Sequence, residues 1–256
     1  ETIPFPAEGR EQAALDALEQ ACSRGDAAAF IVEPLLLGAG GMLIYSPRVL
    51  TEMRRICAAH GVLFIADEVM TAWGRTGTLF ASEQAGIVPD ILCLSKGLTG
   101  GSLPPAVTMA TPGIYAAHYS TDRSKQFFHS SSYTANPIAC AAANANLAIW
   151  REEPVLDRIA DLTRRQTAGL ARLAEHPRLA NTRQLGSVIA LDVVVEDGGY
   201  MSELAPRLKA DFTARNVLLR PLGNTVYVMP PYCIDEPDLA RIWAEIASAA
   251  EDLAAE

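Results

Sequence analysis

Asp67, in VLFIADEV, and Lys96, in ILCLSKGLTGG, each close an apolar run, and they stand 29 positions apart. Each run reads as a buried strand, so an acid and an amine are offered at strand carboxyl ends, where open α/β sheets bind ligands. Lysine is expensive to desolvate, so a lysine beside a core strand either snorkels or has a task. A desolvated amine near other positive charge has a lowered pKa and acts first as a nucleophile toward a carbonyl carbon, then as a base. A carboxylate against a ring nitrogen keeps that nitrogen protonated, since an opposite charge at contact shifts a pKa by roughly 1–3 units. The pair therefore suits a flat heterocycle with an aldehyde toward one end and a basic nitrogen at the other. Taken singly, each residue has a plainer reading. A strand-end Asp often caps a helix or anchors a loop, and a strand-end Lys often snorkels. Spacing alone leaves both open.

The elements that must position the pair follow a strand–helix rhythm. Residues 10–24 place Ala14, Leu15, Leu18, Ala21 and Cys22 at helical spacing, and AAFIVEP follows as a short strand. Pro47 opens a second helix with Leu50, Met53, Ile56 and Cys57 on one face, closed by Gly61. A strand over 62–66, a segment with a helix start near Ser82 and Glu83, and the strand DILCLSK come next, and PPAVTMA adds a further strand. Continuously apolar strands alternating with helices predict an α/β fold, a mostly parallel sheet covered by helices. Residues 137–150 begin a long Ala-rich helix. Beyond Pro154 the pattern changes to a helix near 155–175, a strand over 187–195, a helix near 201–215, strands VLLR and TVYVM, and a last helix from about Glu236. The expected division is a large domain over 1–150 and a smaller carboxyl-terminal α+β domain over 151–256. GAGG (38–41) is a turn, since no G-x-G-x-x-G opens a helix there.

The 256 residues carry a net charge of −9, which argues against nucleic acid or an anionic membrane as partner. Five scattered cysteines without a C-x-x-C and four dispersed histidines give no metal or disulfide framework, so a reducing cytoplasm is expected. No apolar stretch reaches the length of a membrane span. The chain opens on Glu1 in what reads as a loop, and a fragment of a longer protein is expected.

VEPLLLGAGGM, LFIADEVMTAWGRTG, PDILCLSKGLTGG, HSSSYTANPIACAAANANLAIW and LLRPLGNTVYVMPPY, in that order, resemble the class III aminotransferases of fold type I, which use pyridoxal 5′-phosphate. The resemblance covers nearly all of 27–256, and 1–150 then corresponds to part of the large cofactor-binding domain. It implies that Lys96 forms the imine with the cofactor and moves the proton, and that Asp67 partners the pyridinium. Ser131 and Ser132 are implied to contact the cofactor phosphate, commonly from a neighbouring subunit, with Ser132 standing where Thr is usual. Ser130 and Arg220 are implied on the substrate side, Arg220 as the fork for a carboxylate, and Arg75 near the site. Tyr227 and Tyr232 either line the same pocket or pack in the core. Glu33-Pro34 resembles the class's E-P turn, without the glutamine many members carry nearby. The implied partners are a small-molecule amine donor, a keto acceptor and a second copy of the chain in a homodimer. The narrower implied reaction is amine transfer from S-adenosylmethionine to 8-amino-7-oxononanoate, in biotin synthesis. The alternatives are another ω-amino acid or diamine aminotransferase, or an inactive fragment that keeps the fold and dimer contacts. The family's phosphate-cradling and ring-stacking segments lie before Glu1, so isolated residues 1–256 are expected to bind cofactor poorly.

Overall fold

The computed structural model describes residues 1–195, 198, 199 and 202–255. In chain order it contains α1 (Glu11–Ser23), β1 (Ala29–Val32), β2 (Leu36–Leu37), β3 (Leu43–Ile44), α2 (Pro47–Ala59), β4 (Leu63–Asp67), β5 (Ile91–Leu94) and β6 (Val107–Ala110). There follow α3 (Pro112–His118), α4 (Pro137–Glu152), α5 (Val155–Ala171), β7 (Leu179–Leu185), β8 (Val188–Val193), α6 (Leu204–Ala214), β9 (Thr225–Val228) and α7 (Glu236–Ala255). The chain divides into two compact units. One comprises Glu1–Leu35, Tyr45–Trp73 and Leu79–Pro154, and the other Leu36–Ile44, Gly74–Thr78 and Val155–Glu256.

The first unit is built on a four-stranded sheet in the order β1-β4-β5-β6, with β1, β4 and β5 parallel and β6 antiparallel at the edge. This is the α/β architecture expected from the apolar runs. Asp90, in the P-D-I motif, sets the register. Its carboxylate accepts from the Phe64 amide at 2.8 Å and from Arg54 Nη2 at 3.0 Å, while its own N–H donates to Phe64 O at 2.9 Å. From that anchor the ladder pairs Ile65 with Ile91, Ala66 with Leu92 and Asp67 with Cys93. Alternation puts Phe64 and Ala66 on the buried face, which α2 covers, whereas Ile31 and Leu63 on the other face stay exposed. Ser46 caps α2 by accepting from the Val49 amide, and Pro47 sits at its first position. Helices α1 and α2 pack together and bury Leu15, Leu18, Met53 and Ile56, with the Cys22 and Cys57 thiols hydrogen-bonded to each other; burial pushes the Cys57 thiol up to about 12.

The second unit holds an antiparallel sheet, β7-β8-β9, packed on α5, α6 and α7 through Leu162, Ile189, Leu191, Phe212, Leu239 and Trp243. The GAGG turn joins β2 and β3 as a hairpin. Arg183 fastens this hairpin, donating to Met42 O at 2.9 Å, Gly41 O at 2.6 Å and Asp192 Oδ1 at 2.9 Å. One reading of this region needs correction, and one element was not expected. VLLR is not a strand. Val217 N–H donates to Phe212 O and Leu219 N–H to Val217 O, so its amides are used locally and only the burial alternation of a strand survives. Conversely, LANTRQL forms β7, which its polar residues conceal and which a register shift between Ala180 and Arg183, with Asn181 at φ 49°, interrupts.

Asp90→Ala would orphan the Phe64 amide and the Arg54 guanidinium together. Denaturant unfolding should report a loss of about 2–4 kcal/mol.

Candidate active site

Asp67 ends β4, and Lys96 follows the end of β5 by two residues, so both stand at the carboxyl ends of adjacent parallel strands. Asp67 is half-buried, and its Oδ1 accepts from the Val69 amide at 3.1 Å. Among the described residues no cation lies within ion-pair distance of Asp67, and no carboxylate within that distance of Lys96. Both charges are free to meet a ligand. Lys96 is exposed and has φ 45°. A left-handed conformation in a residue with a Cβ costs on the order of 1–3 kcal/mol and persists only where neighbours impose it.

Those neighbours are specific. Leu98 N–H donates to Ser95 O, and Gly101 N–H to Lys96 O, closing a tight 3₁₀ turn over Lys96–Thr99. Ser95 Oγ donates to Pro105 O at 2.7 Å, and Thr99 Oγ1 to Leu103 O at 2.6 Å. A Cβ on Gly97 would lie 2.7 Å from three atoms of the Trp73 side chain, so glycine is what lets the indole close on the turn. Asn146, on α4, donates from Nδ2 to Gly97 O at 2.8 Å and Leu98 O at 3.2 Å. Ala143, Leu147 and Trp150 of the same helix pack on Trp73, Leu94 and Leu98.

Glu68 does a different job from its neighbour Asp67. It is fully buried, and its carboxylate gathers Thr71 Oγ1 at 3.0 Å, the Ala81 amide at 2.8 Å, the Ser82 amide at 2.8 Å and Ser82 Oγ at 2.7 Å. The chain departs at Trp73 and returns at Leu79, where Trp73 N–H donates to Leu79 O at 2.7 Å. Sequence reading passed over Glu68. The available signal was alternation, which places Phe64, Ala66 and Glu68 on one face and Asp67 on the other.

The remaining expected residues lie outside β4 and β5 in sequence, and each has surroundings of its own. Ser130, Ser131 and Ser132 lie in an exposed segment with local bonds: Ser132 N–H to Ser130 Oγ at 3.2 Å, Thr134 Oγ1 to Ser130 O at 2.9 Å and Thr134 N–H to Ser131 O at 3.1 Å. Arg220 is exposed in the second unit, with no carboxylate in ion-pair range among the described residues. Arg75 also belongs to the second unit. Its guanidinium donates to Pro230 O at 2.7 Å and lies 4.5 Å from the centre of the Tyr232 ring, while its carbonyl accepts from the Ser187 amide at 3.0 Å. Gly186 permits this approach, since a Cβ there would stand 2.4 Å from the Thr76 carbonyl carbon. Tyr227 lies on β9, half-buried.

The sequence model of the family Aminotransferase class-III matches residues 4–250. The chain belongs to the class III aminotransferases. This class III chain is 43% identical over 261 residues to the adenosylmethionine-8-amino-7-oxononanoate aminotransferase of Synechococcus elongatus, a match covering 99% of the chain and 61% of that protein. It is 38% identical to the Helicobacter pylori protein of the same name, covering 98% of the chain and 59% of the relative. The solved structure of the same-named aminotransferase from Methanocaldococcus jannaschii superposes with a TM-score of 0.88 at 29% identity, covering 97% of the chain and 59% of that structure. The chain thus spans about three-fifths of the length of these relatives. No helix among the described residues is long and apolar enough to cross a membrane.

Glu68→Ala would strand three buried donors at once, the Ala81 and Ser82 amides and the Ser82 hydroxyl, and each costs about 1–3 kcal/mol when left unmade. Its unfolding free energy should fall by about 4 kcal/mol or more, with Glu68→Gln intermediate because one carbonyl acceptor survives. Alkaline pH gives a second check. Burial is the main influence that raises the Tyr232 hydroxyl from 10.0 to about 12, against the lowering effects of Arg75 and the Ser187 hydrogen bond. Between those values the folded chain keeps a proton that the unfolded chain releases, so stability is complete below pH 10 and declines as pH climbs toward 12. In unfolding free energies measured across that window, Tyr232→Phe should show a decline shallower than the parent's by about 2 kcal/mol.

Proposed function

We propose that these residues form the lysine- and carboxylate-bearing portion of a pyridoxal 5′-phosphate-dependent aminotransferase. Its reaction is transfer of an amine from S-adenosylmethionine to the ketone of 8-amino-7-oxononanoate, giving 7,8-diaminononanoate for biotin synthesis. One observation carries the reading: an unpaired carboxylate and an unpaired amine stand at neighbouring parallel strand ends, the amine on a backbone held left-handed. This donor set fits the cofactor, because Asp67 has acceptor capacity left for a ring N–H and Lys96 is a free primary amine.

When bound, pyridoxal phosphate supplies an electrophilic aldehyde carbon and a protonated ring that draws electrons from the substrate's reacting carbon. Asp67 would accept the ring N–H and keep that proton in place. Lys96 Nζ would provide the amine that holds the cofactor and could take up and return a proton at Nζ. Ser131 and Ser132 have hydroxyl donors for the phosphate. Arg220 presents a planar fork to the acceptor's carboxylate, and Ser130 lies on the substrate side.

The segment containing the serines is rich in exposed aromatic residues, with Tyr119 77%, Phe128 82% and Tyr133 93% exposed. That apolar area supports a homodimer in which a second copy covers it and the serines serve the partner's site. The five free cysteines support a reducing cytoplasm. A second reading, a silent chain retaining the fold and dimer contacts, draws on the exposure of Ser130–Ser132 and their purely local bonds.

In the whole protein, reduction with borohydride after saturation with pyridoxal phosphate separates the two. The label should map to Lys96 over Lys125 and Lys209, the other lysines of the chain, and Asp67→Asn should weaken cofactor retention. Label spread evenly over the three lysines would favour the silent reading. In the whole protein Arg220→Ala should raise KM for the carboxylate-bearing acceptor roughly 10- to 100-fold, with little change for amines lacking that carboxylate.

A further inference from the structure

We propose that Asn146 is a positioning residue for the Lys96 amine, holding its backbone in the left-handed conformation that aims the side chain from the end of β5. The inference rests on the aminotransferase reading for its meaning, and on backbone geometry for its content.

Asn146 sits inside α4, in the Ala-rich stretch ACAAANANLA, where asparagine is a poorer helix former than the alanines around it. Its side chain faces inward beside Leu147, whereas Asn144 two positions earlier is exposed. From 49 and 48 positions away in sequence, Asn146 Nδ2 reaches two consecutive carbonyls, those of Gly97 and Leu98. Gly100, at φ 61°, brings its Cα close enough that a Cβ would stand 3.6 Å from Asn146 Oδ1. The amide therefore meets the turn through its donor and lies close to it through its acceptor.

The turn leaves Lys96 little choice. Its carbonyl is committed to the Gly101 amide, and the next residue is closed upon by Trp73. The Gly97 carbonyl already accepts from the Gly100 amide at 3.0 Å, and the Asn146 side chain adds a second donor to it while also donating to the Leu98 carbonyl. Without Asn146 the turn can rotate those peptides toward water, and Lys96 is released toward the negative φ that a residue with a Cβ prefers. That rotation swings the Cα–Cβ bond, so the amine leaves its place beside the Asp67 strand end. No contact between Asn146 and the amine is required, so the residue acts through the backbone alone.

Residues 1–256 hold three lysines, Lys96, Lys125 and Lys209. In the whole protein labelled with ¹⁵N,¹³C-lysine, the parent should give a strong intraresidue amide–Hα NOE at Lys96, as positive φ brings those protons close. Asn146→Ala and the isosteric Asn146→Asp, which keeps the volume but lacks the donor, should both weaken it. Both should also slow borohydride trapping of pyridoxal phosphate at Lys96 roughly 10- to 100-fold relative to Lys125 and Lys209, while the thermal midpoint holds. Asn144→Ala should change neither readout. An unaltered NOE and trapping rate in both variants would overturn the proposal. Loss of the folded state in both would overturn it as well, by making Asn146 a general support. If the unsubstituted whole protein failed to trap cofactor at Lys96 while the NOE still responded to Asn146, the aminotransferase reading would fall and the positioning role would stand.

Discussion

A lysine at φ 45° does not hold itself there, and the local organisation of the first unit can be traced from what keeps it in place. The strain, on the order of 1–3 kcal/mol, is comparable to one good hydrogen bond, so a single restraint would not suffice. Several converge. The turn closes Lys96 O on the Gly101 amide, Gly97 admits the Trp73 ring, and Ser95 and Thr99 tie down both ends through Pro105 and Leu103. Asn146 then engages two carbonyls from another helix. Trp73 is itself left-handed, at φ 61°, and is buried against Leu94 and Leu98. Trp73 and Leu98, two residues after Lys96, thus meet in one apolar cluster.

Register supplies the other half of the geometry. A slip of one residue between β4 and β5 would turn Asp67 to the opposite face from the residues it now accompanies. Asp90 prevents the slip by binding the Phe64 amide with its carboxylate and the Phe64 carbonyl with its amide. The adjacent acids of the D-E pair then divide by alternation. Glu68 turns inward, where four donors meet it, and Asp67 turns to the side where its charge stays unmatched. Similar chemistry in neighbouring positions yields one structural anchor and one available acceptor.

Much of this was legible in the residues. The apolar runs located β1, β4 and β5, and Pro47 with Gly61 bounded α2 within a residue or two. Asp67 and Lys96 could be named because strand ends carry function in such sheets. What escaped notice depended on tertiary partners. Asn146 carries no local sign of reaching Gly97, and β7 hides behind polar residues and an irregular register. VLLR misled because alternating burial is shared by strands and by extended segments whose amides bond locally. Burial pattern reports which side chains face the core, whereas a strand also needs a neighbour with unpaired groups.

The expected site residues fall into two physical kinds. Asp67 and Lys96 are fixed by bonds and packing inside one unit before any ligand arrives. Ser130–Ser132 stand on an exposed segment shaped by short-range hydrogen bonds, and Arg220 on an exposed stretch of the other unit. On the proposed reading, the difference follows from what each group would do. An amine that has to meet one carbon atom loses rate steeply with misplacement, on the order of 100-fold for about 1 Å, so its orientation must be set in advance. Hydroxyls and a guanidinium that bind phosphate and carboxylate oxygens face ligands with several equivalent acceptors and tolerate adjustment. Rigid construction at the strand ends places backbone strain at Lys96, where direction would matter on that reading.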